Sequence, residues 1–273
     1  MVIDTHVHVW ELNDRHQPPP DAVLPPPRGA MPVELLVEDM RVHGVAHAVL
    51  VLSSAFGWDN TYMVECLERF PGLFRAIGLV DPLHFDNAHQ LREWMARGLS
   101  GFRLHPRYYD DRPVWVDSAE HDGLWRAAAD TGAILQFHMR PDHAEPLRRM
   151  IARHPDVRVI VDHMGAPDVT EAPEYASYDS VLRLADSGQV WVKIGDYQIY
   201  SKEAFPWRDL RPIVARLRDA FGPERMVWGT GYAGPGRLVT LPDALQFVRH
   251  ELPLSHEDVR KILGETPRAL FGF

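Results

Sequence analysis

A single cysteine, Cys66, stands among 273 residues, so no disulfide can form within the chain. It sits in the helix-like run "NTYMVECLERF" with no histidine or basic cluster beside it, which reads as a buried, inert thiol rather than a nucleophile. Positive charge is also in short supply: 29 lysines and arginines face 38 aspartates and glutamates, a net charge of −9. That balance argues against a general attraction to nucleic acid or acidic membranes and leaves room only for a local basic pocket. No run approaches the roughly 20 apolar residues of a membrane span. The opening "MVIDTHVHVW" enters a strand-like pattern at once, without the basic start and apolar core of a secretion signal. A soluble cytoplasmic protein is expected, and a lone thiol is consistent with a reducing compartment. Finally, "HVHVWELND" contains no glycine-rich phosphate loop, which argues against an open dinucleotide-binding sheet.

What the chain does have is alternation. With 45% hydrophobic residues it can bury a large core, and short apolar segments alternate with helical patterns throughout. The strand candidates are residues 2–9, 47–54, 74–81, 99–105, 133–139, 157–164, 190–195 and 225–230. Between them lie helix candidates such as "PVELLVEDMRVHG", with its glycine stop, and "SAEHDGLWRAAADTG", with Ser118 as N-cap. Eight strand–helix units in this length predict one α/β domain over residues 1–273, a closed (β/α)₈ TIM barrel. One low-complexity segment, "QPPPDAVLPPPRGAMP" (17–32), favours extended polyproline II. Following the first strand, it is either a rigid surface connection or a loop covering the catalytic face.

Side chains alternate across a strand, so His6 and His8 share a face, one pleat apart, where two imidazoles can grip one divalent metal. His138 closes the fifth strand and His163 the sixth, at the same depth. Four histidines from three strand ends that converge favour zinc or a similar ion over four separate structural roles. In "GFRLH", Arg103 and His105 face one way; an inward arginine needs a negative partner, either a substrate carboxylate or an internal aspartate, Asp4 or Asp162. Arg140 and Lys193 are weaker versions of the same idea. Gly231 lies one residue past the eighth strand, in phase with Val227 and Gly229, and faces the same mouth. A hydrolytic site needs a proton acceptor there, which glycine cannot be.

The ordered motifs "DTHVHVW", "GFRLHP", "QFH", "VDHMG", "VKIG", "WGTGY" and "ILGETPRALFGF" together resemble the amidohydrolase superfamily, in its amidohydrolase 2 branch. That resemblance covers nearly the whole chain and implies a TIM barrel hydrolysing a small cyclic ester, a lactone, or a related C–O or C–N bond. It implies His6, His8 and His138 as metal ligands and His163 as a catalytic residue orienting or polarising the attacked group. Arg103, His105 and Arg140, with Tyr109, Tyr232 and Trp10, suit a small carboxylated ring. A divalent metal, zinc first, is the expected cofactor, although some lactonases of the branch work without one. The expected partners are a small-molecule substrate and a second copy of the chain in a homo-oligomer, with no nucleic acid or membrane. The branch usually ends its eighth strand with an aspartate, in patterns such as GTDYP, where this chain has Gly231. Three accounts follow: an engineered, inactivated hydrolase, a natural binding protein, or a base supplied from elsewhere. An impaired hydrolase is expected. A non-oxidative decarboxylase and a non-catalytic binder are the alternatives.

Overall fold

The computed structural model describes residues 1–20, 22, 24–106, 116–233 and 240–273. Eight strands follow one another around a single parallel sheet in chain order. They are β1 (Ile3–Val7), β2 (His47–Val51), β3 (Phe74–Leu79), β4 (Gly101–Leu104), β5 (Ile134–Phe137), β6 (Val159–Val161), β7 (Val190–Ile194) and β8 (Met226–Trp228). Every predicted strand is present, shorter at one or both ends. Parallel strands covered on both faces need apolar residues on both, which is why "HAVLV" reads as a continuous run.

Helices fill the returns, among them α1 (Val33–His43), α2 (Thr61–Arg69), α3 (Asn87–Ala96), α4 (Asp122–Thr131) and α5 (Ala144–Arg153). The predicted stop of α1 is Gly44, left-handed at φ 71°, whose N–H bonds to the Met40 carbonyl. Ser118 caps as expected, but on a short 3₁₀ turn (Ala119–His121) that leads into α4.

Among the described residues two apolar clusters form. The larger lies between the strands and the outer helices. The smaller fills the barrel from Val49, Val51, Ile77, Ile134, Ile160 and Val227, closed from below by Leu270 and Phe271 of the C-terminal helix. Arg75 and Arg158 hold that plug through the carbonyls of Phe271 (3.0 Å) and Leu270 (2.9 Å).

The barrel closes between β1 and β8. Asp4 stitches the seam: its Oδ1 accepts the Thr230 and His6 amides, both at 3.0 Å, and its Oδ2 accepts the Thr230 hydroxyl at 2.6 Å. Above it, the Gly231 amide donates to the His6 carbonyl and the His8 amide to Tyr232, each at 2.9 Å. Between Asp4 and Val7 the pairing of β1 with β2 slips by one residue, an irregularity of the kind that re-aims side chains near active sites. Among the described residues, no helix is long and apolar enough to cross a membrane.

Candidate active site

On each strand, the residue two positions beyond the apolar interior layer points to the same side, one pleat nearer the mouth. Gln136 stands above Ile134 and Asp162 above Ile160, while Lys193 and Arg103 enter from β7 and β4. All four are buried. They form one polar floor: Arg103 Nε donates to Asp162 Oδ2 (2.6 Å), and Gln136 Nε2 to the same oxygen (2.9 Å). Lys193 Nζ donates to Gln136 Oε1 (2.8 Å) and pairs with Asp162 Oδ1 (3.0 Å). Burial alone would raise the Asp162 pKa, but the charges of Lys193 and Arg103 outweigh it and hold the carboxyl well below the usual range. Burial likewise pulls Lys193 down, against the attraction of Asp162.

Over this floor runs an arc of imidazoles. Successive ring centroids are 4.8 Å apart for His8 and His6, 4.6 Å for His6 and His163, 5.1 Å for His163 and His138, and 5.4 Å for His138 and His105. The structure therefore brings together all five histidines singled out in the sequence. Burial keeps His6 and His163 neutral well below their ordinary pKa, and lowers His8 to about 4 with help from Arg103.

The first two histidines fit a metal. His8 Nδ1 donates to the Val51 carbonyl at 2.7 Å, which leaves its Nε2 lone pair facing His6 Nε2 at 3.2 Å. Two nitrogens bound at about 2.0–2.1 Å to one tetrahedral ion stand at about that separation. Lys193 Nζ also lies 3.1 Å from His6 Nδ1, so the chain from Lys193 through His6 and His8 to Val51 is hydrogen-bonded without an ion as well. A different trio, His6, Asp162 and His163, has its ligand atoms within 4.8 Å of one another. It suits an ion poorly, because Arg103 and Lys193 already occupy Asp162, and Arg103 Nη2 lies 2.8 Å from His163 Nε2. The expected ligand His138 is not part of that trio; its Nε2 faces the Tyr200 hydroxyl at 3.5 Å.

The remaining expected residues separate. Arg103 takes the internal partner, Asp162, one of the two readings its sequence left open. It also lines a cavity of about 320 Å³ with His105, whose Nε2 meets Ser54 Oγ at 3.2 Å. Trp10 donates to the Gly29 carbonyl (2.7 Å) and borders a second cavity of about 640 Å³. Pro25, Pro26, Pro27 and Arg28 face His8 across it, so the proline-rich segment lies over the mouth. Tyr232 sends its hydroxyl away from the mouth to Asp39 on α1, 2.8 Å. Arg140 is 38% exposed and reaches Asp142 at 3.2 Å. Tyr109 falls outside the described residues.

One residue escaped the sequence reading. Asp196 follows Gly195 at the end of β7 in a left-handed conformation, φ 52°, which costs energy for a non-glycine residue and concentrates at functional sites. Its Oδ2 lies 3.3 Å from His163 Nδ1 and its side chain is 12% exposed. Burial pushes its carboxyl up to about 7, a rise that Arg103 opposes. Its Oδ1 lies 1.9 Å from where a Cβ on Gly231 would stand. The signal was in the sequence: an aspartate directly after "VKIG", at the mouth end of a strand.

The chain is similar to 4-sulfomuconolactone hydrolase of Hydrogenophaga intermedia, with 26% identity over 98% of this chain and 88% of that one. It is similar at 27% identity to the 2-pyrone-4,6-dicarboxylate hydrolase of Comamonas testosteroni, over 98% and 89% of the two chains. A Burkholderia multivorans amidohydrolase crystallised with zinc shares the fold, with a TM-score of 0.81 at 19% identity, over 100% of this chain and 99% of that one. The profile of the amidohydrolase family Amidohydro_2 matches residues 3–273, and the chain belongs to that family.

Proposed function

We propose that the protein hydrolyses a small lactone bearing a carboxylate. The observation that carries this reading is the arc of imidazoles closing on a buried Arg103 at the barrel mouth. The similarity to two hydrolases of acidic lactones supports it. Arg103 has five N–H donors, so those not turned to Asp162 and His163 can meet a substrate carboxylate across the cavity they share with His105. His163 borders the point of attack. Arg103 on one ring nitrogen and Asp196 near the other fix its orientation. A divalent ion, zinc foremost, would be held by His6 and His8, with His138 as the third ligand the family resemblance implies; when bound it supplies carbonyl polarisation and a more acidic water. Trp10 and the proline-rich segment roof the larger cavity and limit water at the reacting carbonyl.

The test is product analysis on a panel of carboxylated and neutral lactones. The expected product has gained one water, with one new acid group per molecule and no carbon lost, and carboxylated rings turn over faster. Release of carbon dioxide would instead mark a decarboxylase, and tight binding without turnover a binding protein.

A further inference from the structure

Among the described residues, three aspartates, Asp4, Asp162 and the half-buried Asp196, stand around the histidines, and two are spoken for. Asp4 accepts from Thr230 and from the His6 amide; Asp162 is neutralised by Arg103 and Lys193. The third, Asp196, makes no ion pair with a lysine or arginine among the described residues. Its Oδ2 turns toward His163 and its Oδ1 occupies the space that a side chain at 231 would fill. Gly231 itself is left-handed, φ 64°, and its amide belongs to the β1–β8 seam. The backbone at 231 is therefore fixed, and no Cβ fits there while Asp196 is in place.

We propose that Asp196, reaching across from β7, is the proton acceptor of the reaction, and that Gly231 is the residue that makes room for it. The inference rests on the lactone-hydrolase reading above. Asp196 Oδ1 takes a proton from water as the water oxygen bonds to the lactone carbonyl carbon and the carbonyl electron pair moves onto its oxygen. When that pair returns, the ring C–O bond breaks and Asp196 gives the proton to the departing ring oxygen. The product is a hydroxy acid that ionises in solution, and the enzyme ends as it began. Gly231 is then part of a working site, with the base carried by the neighbouring strand.

Two measurements test it. In a melting cycle that needs no substrate, Gly231→Ala is compared in the unsubstituted chain and in an Asp196→Ala background. The cost of left-handed alanine is common to both, so the difference isolates the shared space. A clearly larger drop in Tm with Asp196 present is expected; equal drops overturn the proposal. In the kinetic arm, Asp196→Asn should lose about 10²–10⁴-fold in kcat and the base's limb of the pH–rate profile. Gly231→Asp alone should also lose activity, and the double exchange Asp196→Gly with Gly231→Asp should recover at least tenfold over Asp196→Asn. Full activity in Asp196→Asn, or a gain in Gly231→Asp alone, overturns the proposal while leaving the hydrolase reading intact. An unsubstituted chain inert on every lactone overturns the hydrolase reading and the base role with it.

Discussion

Asp162 carries more of the site than any single ligand-like residue. It is fully buried and compensates two cations at once, Arg103 and Lys193. Removing one charge of such a set leaves the others uncompensated, at a cost of about 3–5 kcal/mol. Asp162→Asn is therefore expected to destabilise the protein by about that amount in chemical denaturation, and to cost far more than exposed pairs such as Arg41 with Glu38. A variant within about 1 kcal/mol of the unsubstituted chain would show that the floor is not an ionic network. At this scale the sequence was partly legible. Inward histidines announced themselves by their place at strand ends, and Arg103 by its need for a counter-charge. Which partner it takes was not legible, because Asp162 lies 59 residues later, just past β6. The role of Gly231 was hidden for the same reason: its meaning lies in a carboxylate from the neighbouring strand.

Strands of three to six residues make each ladder short, so what happens at their ends matters. The seam of β1 and β8 depends on Thr230, whose hydroxyl and amide both bind Asp4. Thr230→Val keeps the shape and removes the hydroxyl's hydrogen bond to the Asp4 carboxylate, a loss of about 1–3 kcal/mol. Faster amide exchange at His6, His8 and Gly231 than at β4 and β5 is expected; a uniform change across the barrel would contradict a local seam. The order and type of elements were readable from apolar runs punctuated by glycine and proline, as "HAVLV" and the stop at Gly44 show. The boundaries were not, because the mouth residues keep strand-like spacing after the ladder has ended. The slip in β1 had no visible signal, since it depends on which β2 residues it meets.

For the molecule as a whole, acid is the weak side. His6, His8 and His163 are kept neutral by burial, with folded pKa values below the ordinary 6.5. Between the folded and unfolded values the unfolded chain binds more protons, so stability rises with pH there. This contribution is complete above about pH 6.5 and is lost as pH falls toward the folded values. For His8, held at about 4, the loss is about 3 kcal/mol. Asp196 acts in the opposite sense: raised to about 7, it contributes stability below its unfolded value near 3.8 that is lost as pH rises through 7. Three histidines outweigh it. Chelator-treated protein should melt at progressively lower temperature from pH 6.5 to 4, and Asp196→Asn should steepen that fall. A flat profile would contradict neutral buried imidazoles.

Addition of water across a lactone's acyl bond at this barrel mouth leaves its signature in the oxygen atoms of the product. The most direct measurement is to run the reaction in heavy-oxygen water and locate the label in the product. One labelled oxygen in the new carboxyl group, an unlabelled alcohol and every carbon retained are expected. Label in the alcohol, or loss of carbon dioxide, would contradict it.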